Sequence, residues 1–123
     1  MEKPHKKLDV WKGAMKVAEI TYKITSRFPA EERFGLVSQM RRAAVSISCN
    51  IAEGAGRKGK REFKNFLSMA QGSLSELDTQ LDLSVLLGFI SKEILEGITP
   101  ELVRVDKMLT GLIRSLGVNC REG

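Results

Sequence analysis

Residues 46–61 read S-I-S-C-N-I-A-E-G-A-G-R-K-G-K-R, and the structure of this stretch decides the fold. As a strand and loop, it alternates apolar with small or polar residues and then gives G-x-x-x-x-G-K over Gly54–Lys60, the spacing of a phosphate-binding P-loop. Its glycines also fit G-x-G-x-x-G. As a helix and turn, its isoleucines continue a helical pattern from upstream, and its glycines end the helix.

The surrounding sequence favours the helix and turn. Upstream, apolar residues recur at steps of four, three, four and four: Leu36, Met40, Ala43, Ile47 and Ile51. A P-loop also needs a buried parallel sheet, and the chain offers no second strand candidate. Arg61 stands where a P-loop has the Ser or Thr that binds magnesium. We therefore interpret the glycines as a turn between two helices.

Four segments have helical periodicity. The third is the most regular, because Phe63, Leu67, Ala70, Leu74, Leu77 and Leu81 follow one another at steps of four or three. The predicted helices cover residues 9–28, about 30–53, about 60–87 and 91–117. Such helices, joined by short turns, predict an all-α, antiparallel up-down-up-down four-helix bundle.

The helix ends are predicted from capping and breaking residues. Asp9 and Ser91 are expected to cap the first and fourth helices, while Pro29 and Gly88 separate helices. Pro100 lies inside the fourth segment. Because the apolar stripe keeps its phase there, we expect a continuous, kinked helix, with a break at Thr99 as the alternative.

The bundle is predicted over residues 9–117, between a flexible basic segment, residues 1–8, and a flexible tail, residues 118–123. No apolar run approaches the ~20 residues of a membrane span, and no secretory signal is visible, so a cytoplasmic protein is expected. Two isolated cysteines, Cys49 and Cys120, and a single histidine, His5, do not suggest a metal site. No cofactor or small-molecule substrate is predicted.

Positive charge is concentrated near the predicted turn. The chain carries 20 Lys and Arg against 15 Asp and Glu, a net charge of +5. A cluster, here called the basic corner, accounts for much of the excess: Arg57, Lys58, Lys60, Arg61 and Lys64. Such a cluster at a helix N-terminus suits phosphate, so RNA or DNA is a candidate partner; the alternative is a solvated charged loop whose lysines only aid solubility. Arg41, upstream on the second helix, is a further candidate contact.

Motifs along most of the chain resemble a known family. They are L-D-V-W-K-G-A-M (8–15), F-G-L-V-S-Q-M-R-R-A-A-V-S-I (34–47), A-V-S-I-S-C-N-I-A-E-G-A-G-R (44–57), E-F-K-N-F-L-S-M-A-Q-G-S-L-S-E-L (62–77) and M-L-T-G-L-I-R-S-L (108–116). Together they resemble the four-helix-bundle proteins encoded in intervening sequences of bacterial 23S ribosomal RNA genes. The sequence departs from that family at Ser48, where proline is common, and at Gly59, where Ser or Thr often caps the third helix.

The resemblance implies an antiparallel bundle that assembles as a ring-like homopentamer. It also implies kinship with the accessory protein of diversity-generating retroelements, a basic pentameric bundle that binds nucleic acid and works with a reverse transcriptase. Apolar residues outside a single core stripe are expected to face another subunit: Trp11, Met15, Leu83 and Leu87.

Arg42 is predicted to have a structural role. Adjacent helical positions point about 100° apart, so Arg41 and Arg42 cannot both face the core. We expect Arg42 to be partly buried in an ion pair with a residue such as Glu76, within or between subunits, with nucleic-acid contact as the alternative.

Three further residues have predicted structural roles. Asn50 and Glu53 share a helix face, and Glu53 could hold Arg57 or Lys60 near the turn. Gly72 lies in the middle of a helix, which suggests close backbone approach to Ala43 or Ala44.

The leading hypothesis is a non-enzymatic, homo-oligomeric bundle that binds RNA or DNA without strong sequence preference. The alternative is an oligomeric scaffold that recruits a protein partner and has no direct nucleic-acid role. An enzyme is the least supported class, because no pair of catalytic groups is found at suitable spacing.

Overall fold

A computed structural model of the chain describes residues 1–117 and contains four helices within them. They are α1 (Asp9–Thr25), α2 (Leu36–Ala55), α3 (Lys60–Leu86) and α4 (Lys92–Ser115). No strand occurs in these 117 residues. Each helix packs against the next one, and α1 packs against α4, while the Cα atoms of the two diagonal pairs stay more than 8 Å apart within the described chain. The fold is the predicted four-helix bundle.

The predicted apolar stripes meet in one core. Its largest fully buried side chains come from all four helices and include Met40, Ile47, Ile51, Leu67, Leu77, Leu81, Ile98, Leu109 and Val17. Each such side chain contributes about 1.5–3 kcal/mol when it leaves water. Residues 1–117 contain no helix both long enough and apolar enough to cross a membrane.

The start of α2 differs from the prediction. After Pro29, residues Ala30–Glu32 form a short 3-10 turn, and α2 begins only at Leu36. The Glu32 side chain accepts a hydrogen bond from the backbone N–H of Leu36 at 3.3 Å. This acceptor satisfies one of the free N–H groups at the start of α2.

The two predicted N-caps have different outcomes. Ser91 does cap α4, because its hydroxyl accepts a hydrogen bond from the N–H of Ile94 at 3.2 Å. Asp9 does not cap α1: Leu8 occupies the cap position, and Asp9 is the first helical residue. Its carboxylate therefore lies beside the positive end of the helix dipole rather than on a capping hydrogen bond.

Helix α4 continues through Pro100 without a break at Thr99. The Thr99 hydroxyl donates a hydrogen bond to the carbonyl of Leu95 at 2.7 Å, one turn earlier. The predicted continuity is confirmed, and the kink stays a prediction.

The segment before α1 is partly folded onto the bundle. Residues Pro4–Lys7 form a 3-10 turn that contacts both α1 and α2, and His5 packs edge-on against Trp11 with ring centroids 5.0 Å apart. Part of the segment predicted to be flexible thus packs on the bundle. The predicted tail, residues 118–123, and Cys120 lie outside the described residues.

Candidate functional site

The basic corner surrounds the turn between α2 and α3. Four of its cations are exposed: Arg57, Lys58, Lys60 and Arg61. The fifth, Lys64, is half-buried on the first turns of α3. Gly59 occupies the N-cap position of α3 and provides no side-chain cap, so the first N–H groups of this helix add to the positive potential of the corner.

Arg57 is partly neutralised inside the corner. Its guanidinium forms an ion pair with Glu53 at 2.8 Å and lies 3.9 Å from Glu62. It also lies 5.0 Å from the centroid of the Phe66 ring. These contacts fix Arg57 in place, so Lys58, Lys60 and Arg61 carry most of the charge that the corner presents to solvent.

The N-terminal turn brings further cations to the same end of the bundle. An open cavity of about 630 Å³ is lined by Lys3 and His5 on one side and by Cys49, Glu53 and Arg57 on the other. Lys6 and Lys7 are exposed on the same turn. We call the combined surface the basic end, formed by Lys3, Lys6, Lys7, Arg57, Lys58, Lys60 and Arg61.

The glycines of residues 54–59 serve packing and turning rather than a P-loop. A Cβ atom at Gly54 would lie 2.8 Å from the Cβ of Phe66 and 2.9 Å from a ring carbon of Phe63. Gly54 therefore permits the close contact between α2 and α3, and Gly56 is the C-cap residue of α2. The strand that a P-loop requires is absent, because these residues end a helix.

The predicted role of Gly72 is wrong within the subunit. Gly72 is exposed, and nothing would lie within 4 Å of a Cβ atom added there. Ala43 and Ala44 are buried elsewhere in the core. The rotation of α3 about its axis turns Gly72 away from α2, and periodicity alone did not fix that rotation.

Arg41, rather than Arg42, is the arginine held by the bundle. Arg41 is half-buried; its Nε donates to the hydroxyl of Thr25 at 2.9 Å, and its Nη2 donates to the carbonyl of Tyr22 at 3.4 Å. Its guanidinium also lies 4.4 Å from the centroid of the Tyr22 ring. Arg41 is thus far from the basic corner along α2, and the two do not form one site.

Arg42 is exposed, which corrects its predicted partial burial. It lines a cleft together with Glu76, but the two form no ion pair in the described part of the chain. Glu76 is also exposed. An ion pair between subunits stays a prediction.

Asn50 contributes to a polar seam between α2 and α3. Its amide donates to the carbonyl of Ser46 at 2.9 Å and to the Ser46 hydroxyl at 3.0 Å. That hydroxyl lies 2.9 Å from the hydroxyl of Ser73 on α3. Asn50 therefore orients a contact between helices instead of pointing into a catalytic pocket.

A second positive surface, which sequence reasoning missed, lies where α1 ends and α2 begins. An open groove of about 610 Å³, here called the arginine groove, is lined by Tyr22, Arg33, Phe34, Val37, Ser38, Arg41, Arg42, Val45 and Ser46. The sequence indicated this groove only through the spacing of three arginines, Arg33, Arg41 and Arg42. That spacing was not enough to predict the groove, because Arg33 precedes α2 and the Tyr22 ring comes from α1.

The arginine groove is formed by α1 and α2, whereas α3 and α4 carry a group of acidic residues. The pKa of the Asp78 carboxyl is raised by burial and, to a smaller extent, by the neighbouring charges of Asp82 and Asp106. Asp106 also accepts a hydrogen bond from Gln71 at 3.4 Å. No cluster of three or more His, Cys, Asp or Glu side chains within residues 1–117 is arranged to hold a metal ion.

Comparisons with known proteins agree with the fold. The family described as 23S rRNA-intervening sequence protein matches residues 6–111 of this chain. A crystal structure at 1.70 Å resolution is similar to it: a protein with unknown function from the S23 ribosomal protein family of Bacteroides thetaiotaomicron VPI-5482. The two share 24% identity and a TM-score of 0.76, over 85% of this chain and 97% of that one. No curated protein matches this chain significantly.

Proposed function

We propose that this chain, which belongs to the 23S rRNA-intervening sequence protein family, is a non-enzymatic, homo-oligomeric bundle that binds RNA or DNA without strong sequence preference. The basic end is the proposed contact surface. Neither the family description nor the similar structure assigns an activity, so the proposal rests on the physical chemistry of this surface.

One observation carries the proposal: cations from two distant parts of the sequence converge on one end of the bundle. The N-terminal turn and the α2–α3 turn line a common cavity, which adds Lys3 and its neighbours to the basic corner. Glu53 and Glu62 both lie near the Arg57 guanidinium, and Lys58, Lys60 and Arg61 form no ion pair within residues 1–117. Exposed cations beside an uncapped helix N-terminus suit phosphate oxygens and carry no information about base sequence.

Assembly would strengthen such binding. The subunit exposes large apolar side chains, among them Leu86 at 84% and Leu87 at 53%, which favours contact with other subunits. In a homopentamer, each copy would present the same basic end, and weak phosphate contacts would add through multivalency. The oligomer is therefore part of the proposal and not a separate function.

The salt dependence of binding tests the proposal. Affinity for a generic RNA or DNA should fall steeply with salt, with a log–log slope of about −0.7 to −0.9 for each phosphate neutralised. Changing Lys58, Lys60 and Arg61 together to glutamine should lower the affinity and make the slope shallower by about two. Thermal stability should change little, because exposed charges contribute little to folding.

A matched variant provides the control. Changing Lys92, Arg104 and Lys107 to glutamine removes the same charge from exposed positions on α4 and should leave the slope nearly unchanged. If the variant with a neutralised corner binds as tightly as the parent at every salt concentration, the corner is only a solvated turn. The scaffold that recruits a protein partner then becomes the better explanation.

A further inference from the structure

The arginine groove is a second concentration of positive charge, separate from the basic end. Arg42 precedes Arg57 by 15 residues in the sequence, which corresponds to about 22 Å along a helix axis. The groove is formed by side chains from α1, from the loop before α2 and from the first half of α2. Its ligand must therefore be argued from its own chemistry.

The charge of the groove is not compensated. Arg33, Arg41 and Arg42 all line it, and no carboxylate does. None of the three forms an ion pair within residues 1–117. Cations that line one groove repel one another, and an anion bound in the groove relieves that repulsion. Phosphate suits guanidinium groups because it accepts two parallel hydrogen bonds from one arginine.

One of the three arginines is already held in position. Arg41 is fixed by its hydrogen bonds to Thr25 and Tyr22 and by its contact with the Tyr22 ring. These bonds use only part of its N–H groups and leave others for a ligand. An anion that binds here loses little affinity to side-chain ordering, since the bundle has already restricted this guanidinium.

Exposed aromatic rings accompany the charge. Phe34 is 91% exposed and Tyr22 is 45% exposed, both on the groove. A large exposed aromatic ring in water is unfavourable unless something covers it, and a nucleic-acid base provides a flat surface of matching size. A duplex keeps its bases stacked on each other, so only an unpaired nucleotide can offer both a phosphate and a free base face.

We propose that the arginine groove binds an unpaired nucleotide of a single-stranded nucleic acid. The phosphate lies among Arg33, Arg41 and Arg42, and the base stacks on Phe34. This inference rests on the proposed function and adds to it: the basic end binds the phosphates of any nucleic acid, whereas the groove selects single strands.

Three probes separate the two surfaces: fluorescein-labelled oligothymidylate, its duplex with oligoadenylate, and an abasic strand of the same length. Fluorescence anisotropy with the full chain gives each affinity. Phe34→Ala should weaken oligothymidylate binding by about tenfold and leave the abasic strand and the duplex unchanged, because stacking is lost and phosphate contact is not. Phe34 is so exposed that its removal should not unfold the bundle.

Changing Arg33 and Arg42 together to glutamine should weaken binding of both single strands and affect the duplex less. Arg104→Gln with Lys107→Gln makes the same charge change on α4 and is the control. By contrast, the variant with Lys58, Lys60 and Arg61 changed to glutamine should bind all three probes more weakly. One possible result is that only the corner variant loses duplex binding, while both groove variants bind every probe like the parent. This result would support the proposed function and overturn the assignment of the arginine groove to a nucleotide.

The opposite result is equally distinct. If the groove variants lose single-strand binding while the corner variant binds the duplex like the parent, the groove is supported and the basic end is not. Sedimentation velocity of Phe34→Ala completes the test. A smaller assembly at unchanged helix content would identify the groove as a contact between subunits and overturn its assignment to nucleotides.

Discussion

At the scale of single residues, Gly54 and Gly72 differ in what an added methyl group would meet. At Gly54 it would collide with Phe63 and Phe66, at 2.9 and 2.8 Å. At Gly72 it would point into open space. Both are helical glycines, but only one is needed for the subunit to pack, so the two substitutions by alanine should have opposite effects.

Gly54→Ala should therefore lower the free energy of unfolding by about 1–3 kcal/mol, because α2 and α3 must separate slightly. Gly72→Ala should raise it by about 0.5–1 kcal/mol, since alanine restricts the unfolded chain and favours the helix. Urea unfolding followed by circular dichroism measures both. A loss of stability in Gly72→Ala would contradict the open surroundings of this glycine and indicate that another subunit packs on it.

At the scale of elements, α4 is the helix in which local preference and packing disagree. Pro100 has no N–H to donate to the carbonyl of Glu96, yet the helix continues through it. On both sides of Pro100 in the sequence, α4 buries apolar residues in the core: Ile98, Leu102 and Val105. Burial of this stripe outweighs the missing hydrogen bond and keeps the two halves in one helix.

Pro100→Ala should stabilise the protein by up to about 3 kcal/mol, because it restores a backbone donor at an exposed position. Thermal unfolding compares it with Lys107→Ala, an exposed substitution on the same helix that should change stability by a few tenths of a kcal/mol. Lower stability in Pro100→Ala would mean that the proline shapes α4 so that Leu102 and Val105 reach the core.

At the scale of the whole molecule, apolar surface and charge are distributed unevenly. Of the four residues predicted to face another subunit, Trp11 packs partly against the subunit's own core, whereas Met15, Leu83 and Leu87 are exposed. Leu86 adds to the surface around the end of α3. Such side chains are costly to hydrate, so association of subunits is the expected outcome.

Sedimentation velocity at tens of micromolar should show a pentamer. Changing Leu83 and Leu87 together to glutamine should shift it toward smaller species while helix content is retained, because both side chains are exposed in the subunit. Lys107→Gln is a control for surface substitution. A monomeric parent would contradict the assembly and remove the multivalency from the proposed nucleic-acid binding.

The sequence alone determined the elements of this fold. The helical repeats, the turn at Gly56–Gly59 and the Ser91 cap could be read from neighbouring residues, because helix periodicity and capping depend on contacts within a few positions. The charge of the basic corner was equally local. The start of α2 was misplaced, because a proline followed by helix-forming residues is compatible with either a helix or a 3-10 turn.

Only the tertiary structure decided which surfaces those elements form. It brought Lys3 and Arg57 to the same cavity, anchored Arg41 rather than Arg42, and brought Phe34 and Tyr22 together in the arginine groove. Each outcome depends on how far a helix is rotated about its axis and on which distant segment packs beside it. Rotation and neighbours are set by the shape of the whole core, which no local pattern contains.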